Sequence, residues 1–270
     1  MSEAAGKITI IGLGLIGGSL GLAIKRGGLQ RVRVAGNDIH GDVLRKAEKM
    51  GAIDEAHKDI GKAVDGASMV IVATPILETR DTFNAIARHV AEGAVVTDTA
   101  STKTDVMRWA KEMLTEHVSF VGGHPMAGKE NQGIENAEAA LFDGKAYCIV
   151  PSVTATPEAI KSVTGLAHLV GADPIYMDAA EHDQYAAAIS HMPLVMSTAL
   201  FSLMRESPSW TDIGAMAGPA FQDMTRLASG DPGMAHGIWR TNREAVIVDR
   251  DSMSKARRAR GPRESIFQAP

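Results

Sequence analysis

Residues 12–17, Gly12-Leu-Gly14-Leu15-Ile16-Gly17, have the spacing that lets a backbone wrap a pyrophosphate. In such a turn Gly12 allows the sharp bend, Gly14 lets the phosphates come close, and Gly17 lets the next helix pack on its strand. The helix start at Leu15 and Ile16 would add free N–H groups and a positive dipole end. With 27 glycines in the chain, a match of this kind carries little weight by itself. Its place between an apolar strand and a helix gives it weight. Asp38 follows about 20 residues later, where a carboxylate accepts hydrogen bonds from both ribose hydroxyls and repels a 2′-phosphate. The expected cofactor is therefore NAD rather than NADP. Thr74-Pro75 closes another strand and belongs to the same ligand-facing edge.

Two histidines have neighbours unusual for scaffold. His124 sits in Gly122-Gly-His-Pro-Met-Ala-Gly128, expected to be a shaped loop after a strand ending at Val121. Loops at the carboxyl ends of strands are where catalytic groups concentrate. His191 precedes Pro193 within a long helical pattern, and the proline should kink that helix by removing a backbone hydrogen bond. Ser101 reads as a helix-start residue, with Thr102 and Asp105 spaced for a capping box. Ser101 and Lys103 also have the spacing of a Ser-x-Lys dyad, but nothing else of a hydrolase accompanies them. Arg226 reads as a surface cation. Glu181, His182 and Asp183 are adjacent on a helix and point apart, so no metal site is expected.

The elements that must position these groups alternate. Apolar runs at 7–11, 31–35, 69–73, 94–97, 119–121 and 174–177 read as strands, separated by helical patterns at 16–25, 42–50, 79–90, 105–114 and 157–170. That order implies an α/β fold: a Rossmann-like, doubly wound and mostly parallel sheet. From Asp178 the pattern is helical throughout, with Asp178 and Glu181 at capping-box spacing before a helix reaching Met204. The expected division is a dinucleotide-binding domain at 1–175 and an all-α substrate and dimerisation domain at 176–270. The composition allows both: 270 residues, 45% hydrophobic, formal net charge −4. Such a balance excludes a polybasic nucleic-acid binder and an acidic disordered chain. The single Cys148 excludes an internal disulfide. The run Met192–Met204 looks too short to span a bilayer, and the first residues lack a signal-like apolar core. A cytoplasmic protein is expected, with the basic stretch 255–263 as a solvated tail.

Read in order, GLGLIGGSL at 12–20, ATPI at 73–76, TDTASTK at 97–103, GGHPMAGKENQG at 122–133, AEHDQYAAAISHMP at 180–193 and FQDMTRLASGDP at 221–232 resemble one family. It is the prephenate and arogenate dehydrogenases of tyrosine biosynthesis. The resemblance implies a homodimer joined through the helical domain. It also implies NAD(P)-dependent oxidative decarboxylation of a cyclohexadienol to a phenol. In that scheme His124 accepts the hydroxyl proton, and Ser101 bonds the same hydroxyl or orients His124. Arg226 holds a substrate carboxylate, and His191 contacts substrate or nicotinamide. Leu194 stands where many prephenate-using members carry a second histidine, so the resemblance leans to arogenate. Lys129 and Ala235 depart from the Thr and Trp common at those places. A β-hydroxyacid dehydrogenase would want a lysine base on the long helix, and 178–204 contains none. A non-enzymatic dinucleotide sensor that used the basic tail would bind DNA with steep salt dependence.

Overall fold

The computed structural model describes residues 6–29, 31–129 and 131–248; the basic stretch 255–263 lies outside them. The chain opens with β1 (Gly6–Ile11), α1 (Leu15–Arg26), β2 (Val32–Asn37) and α2 (Gly41–Lys49). A short β3 (Glu55–His57) and α3 (Ile60–Val64) precede β4 (Met69–Val72), α4 (Ile76–Ile86), β5 (Val95–Asp98), α5 (Thr104–Met113) and β6 (Ser119–Pro125). Then come β7 (Ala146–Pro151), α6 (Pro157–Leu169) and β8 (Asp173–Tyr176). All eight strands form one sheet, ordered β3-β2-β1-β4-β5-β6-β7-β8. Pairing is parallel except where β7 runs against β6.

Strands β4 and β5 and the last four residues of β1 are buried. A parallel sheet covered on both faces requires such unbroken apolar runs. Ile8, Ile10 and Ile71 pack with Leu20 and Ile24 of α1, Leu44 of α2 and Leu166 of α6. Ile11, Val70 and Val72 point the other way, to Val64 of α3, Phe83 of α4 and Trp109 of α5. After β1 the chain builds outward to β3, then returns to lay β4 on the opposite side of β1. That reversal opens a crevice at the carboxyl ends of β1 and β4, where such sheets bind ligands.

The remaining described residues, up to 248, are mainly helical. α7 (Ala179–Ala186), a π-helical turn (Ala187–His191) and α8 (Met192–Arg205) make one continuous rod of 27 residues. The disturbance expected from Pro193 takes the form of that π turn. Asp178 caps the rod as expected, its Oδ1 accepting the Glu181 N–H at 2.8 Å. α9 (Trp210–Ala215), α10 (Pro219–Thr225), a 3-10 turn (Arg226–Ser229) and α11 (Pro232–Thr241) follow. α11 returns to α4 so closely that a Cβ on Gly237 would run into Ile76.

Three expectations need correction. β6 does not stop at Val121 but runs to Pro125, so His124 lies on a strand opposite Cys148 of β7, not on a loop. The antiparallel partner extends the strand through the two glycines. The capping box at Thr102 and Asp105 does not form: Thr102 Oγ1 pairs with Thr241 Oγ1 at 2.9 Å, and α5 starts at Thr104. The apolar segment is also longer than the run Met192–Met204 suggested. By length and composition alone the whole rod of 27 residues reaches what a membrane crossing needs, a property it shares with core helices of soluble proteins.

Candidate active site

At the crevice, Gly12 has φ +87°, and a Cβ there would stand 2.6 Å from the Ala73 carbonyl oxygen of the neighbouring strand end. A Cβ on Gly17 would overlap the Gly12 carbonyl oxygen. Gly14, by contrast, faces open space at the start of α1, and no side chain caps that helix. The first turn, with Leu15 and Ile16, therefore keeps N–H groups without a helical acceptor. An uncapped helix start behind an open glycine suits a pyrophosphate. Asp38 follows β2, its Oδ2 accepting the Leu13 N–H at 3.0 Å and its Oδ1 the His40 N–H at 2.9 Å. Thr74 and Pro75 follow β4. The Thr74 hydroxyl oxygen is buried without a partner, and Pro75 is the N-cap of α4.

Three strands along the same edge, about 14 Å away at the usual strand spacing, His124 is buried. Its Nδ1 lies 2.8 Å from His182 Nε2, and His182 Nδ1 lies 2.9 Å from Asp183 Oδ1. Asp183 also accepts the Lys103 N–H at 2.7 Å and the Thr104 N–H at 2.9 Å. The cap of α5 thus comes from the helical part of the chain. Asn242 Nδ2 donates to the Asp183 carbonyl at 2.7 Å and lies 2.9 Å from His191 Nδ1. His191 is fully buried, and its Nε2 has no partner.

Burial dominates the electrostatics. It holds the His124 imidazole well below pKa 6.5, and the charges of His182, Lys103 and His191 push the same way. Burial lowers His191 to about 4 against the pull of Asp183. Burial alone would raise Asp183, but the hydrogen bonds from His182, Thr104 and Lys103 outweigh it and leave the carboxylate low. Neutral His124 and His191 are thus joined, through His182 and Asn242, to the one residue Asp183, whose carboxylate is a fixed anion.

Comparison with known proteins places this arrangement. Residues 20–176 match the model of the prephenate dehydrogenase nucleotide-binding domain, and residues 178–259 that of its dimerization domain. The chain belongs to the prephenate dehydrogenase family. Prephenate dehydrogenase of Bacillus subtilis is 32% identical over 249 residues, 92% of this chain and 67% of that protein. The structure of prephenate dehydrogenase from Aquifex aeolicus, in complex with hydroxyphenyl propionate and NAD+, superposes with TM-score 0.88 at 29% identity, covering 96% and 90% of the two chains. The structure of Synechocystis arogenate dehydrogenase superposes with TM-score 0.78 at 29% identity, covering 93% and 88% of the two chains. As a member of the prephenate dehydrogenase family the chain is an NAD-dependent dehydrogenase.

Ser101 is half-buried in the turn between β5 and α5, two residues before Lys103. Lys103 is no nucleophile partner. Its buried ammonium pairs with Asp98 and donates to the Gly123 carbonyl at 2.7 Å, tying the β5 loop to β6. Arg226 is exposed on its 3-10 turn. Sequence reasoning missed His182, Asp183 and Asn242. Adjacent residues on a helix do point apart, but His182 and Asp183 are near enough for one ring nitrogen to meet the next carboxylate.

Proposed function

We propose that this enzyme catalyses the NAD-dependent oxidative decarboxylation of arogenate to tyrosine. One observation carries the chemistry: a buried, neutral imidazole, His124, on the same sheet edge as the dinucleotide turn. Gly12, Gly14, Leu15, Ile16 and Gly17 hold the pyrophosphate, Asp38 the ribose, and Thr74 and Pro75 line the crevice. Bound NAD+ supplies the hydride acceptor. His124 takes the proton of the ring hydroxyl as a general base, with Ser101 aligning that hydroxyl. Loss of the ring carboxylate as CO2 leaves the phenol. His191 offers a donor to a substrate oxygen, and the planar fork of Arg226 matches a carboxylate.

The preference for arogenate rests on Leu194, which is buried against Ala235 and Ile238 and offers no donor to a keto side chain. We assign residues 1–175 to the cofactor and 176–270 to substrate and dimer contacts. The solvent-facing side of the rod would then be covered by a second copy. NADH formation, measured separately with arogenate and prephenate, tests this reading. A higher kcat/KM with arogenate is expected. A preference for prephenate would overturn the Leu194 argument and leave the chemistry standing, whereas turnover of neither would overturn the chemistry.

A further inference from the structure

A proton acceptor needs one bare ring nitrogen, and burial alone does not say which nitrogen that is. The hydrogen-bond partners do. The Asp183 carboxylate receives two backbone N–H groups, those of Lys103 and Thr104, and is an acceptor. His182 Nδ1, 2.9 Å from Asp183 Oδ1, therefore carries the hydrogen. A neutral imidazole protonated at Nδ1 has its lone pair on Nε2. With His182 as a neutral ring, its Nε2 accepts from His124 Nδ1 at 2.8 Å. That leaves His124 with an unprotonated Nε2.

The main chain of the same residue sets the second histidine. The Asp183 carbonyl oxygen only accepts, so the amide nitrogen of Asn242 must face it at 2.7 Å; a flipped amide would bring two carbonyl oxygens together. The second hydrogen of that nitrogen meets His191 Nδ1 at 2.9 Å, which must accept. His191 then carries its hydrogen on Nε2, the buried atom without a partner.

We propose that Asp183 is a single node that, through His182 and Asn242, sets His124 and His191 in opposite tautomers, the first an acceptor at Nε2 and the second a donor. Its catalytic meaning rests on the reading of His124 as the proton acceptor. His182 and Asn242 are positioning residues. When the substrate hydroxyl breaks its O–H bond, the proton forms a bond to His124 Nε2 and the proton on Nδ1 stays in place. The imidazolium so formed is stabilised through His182 by the carboxylate, the same logic by which a buried Asp holds the base of a catalytic triad.

Nitrogen-15 NMR of the histidine-labelled enzyme, with and without NAD, reads the tautomers directly. At pH 7.5 His124 should show a protonated Nδ1 and a bare Nε2, and His191 the reverse. Either ring in the other state overturns the proposal, and this spectrum needs no variant. His182→Phe should remove the acceptor, release the His124 tautomer and lower kcat by about 10²-fold or more, as a wrongly held tautomer does. His182→Gln, whose carbonyl accepts the same bond, should restore the His124 signature and most of kcat. Should the tautomers appear as expected while His124→Asn keeps its kcat, the base assignment fails and the tautomer assignment stands.

Discussion

At His124 the effect of burial sets a pH range. Taking the ring out of water disfavours its charged form, so protonation needs a lower pH than the ordinary value near 6.5. His182, Lys103 and His191 face it with charges that push the same way, and Cys148 stands opposite on β7. The acid limb of kcat/KM should therefore fall below pH 6.5, contrary to the limb an unperturbed imidazole would give. His124→Asn should lower kcat by roughly 10²–10⁴-fold, the usual worth of a general base, with NAD affinity unchanged; retention of kcat would return His124 to a structural role. Asp38→Ser should weaken NAD and admit the 2′-phosphate, moving the NAD-to-NADP preference by about tenfold or more. A wild type that already prefers NADP would contradict the ribose assignment. At this scale the glycine turn, Asp38, His124 and His191 were legible because each stands in an unusual local pattern. His182 and Asn242 were not, since their partners come from distant parts of the chain.

Among the elements, the close approach of α1 to the end of β1 is the least forgiving. A Cβ on Gly17 meets the backbone of Gly12, which has no rotamer to give. Gly17→Ala should therefore lower Tm by the equivalent of about 1–3 kcal/mol and weaken NAD binding more than tenfold. Calorimetry of the apo and NAD-loaded variant checks both, and unchanged binding would remove Gly17 from the cofactor turn. The main βα alternation was readable because buried parallel strands are continuous apolar runs. β3 has only three residues, half-buried, and gives no such run. The apolar stretch Tyr147–Val150 of β7 is a strand signal, but its antiparallel pairing to β6 comes from a long connection that no local pattern reveals. The cap of α5 escaped for a related reason: Asp183 lies 80 residues from Lys103.

For the whole molecule, the buried neutral rings of His124 and His191 make stability depend on pH. In the unfolded chain they protonate near 6.5, and in the fold only lower, His191 at about 4. The unfolded state therefore binds more protons between those values. Stability is full above about pH 6.5 and is lost as pH falls toward 4, with His191 contributing up to about 3 kcal/mol. Urea midpoints at pH 7.5, 6 and 5 should fall in that order, and equal midpoints would contradict it. The rod carries a second whole-molecule expectation. Ile189, Met196 and Leu203 recur every seven residues on one face, and they are 70%, 42% and 65% exposed. A face with that repeat is suited to a partner helix. Ile189→Glu with Leu203→Glu should convert a dimer to a monomer in light scattering, with the circular dichroism preserved. A monomeric wild type would end the proposal. Asp183, finally, bears on how such a chain tolerates recombination. A splice near residue 177 that imports a foreign second half must bring an acid in register with Lys103 and a histidine just before it. Otherwise α5 begins with bare N–H groups and His124 loses its neighbour. Crossovers that inherit 98–125 together with 178–242 are the ones expected to leave a working enzyme.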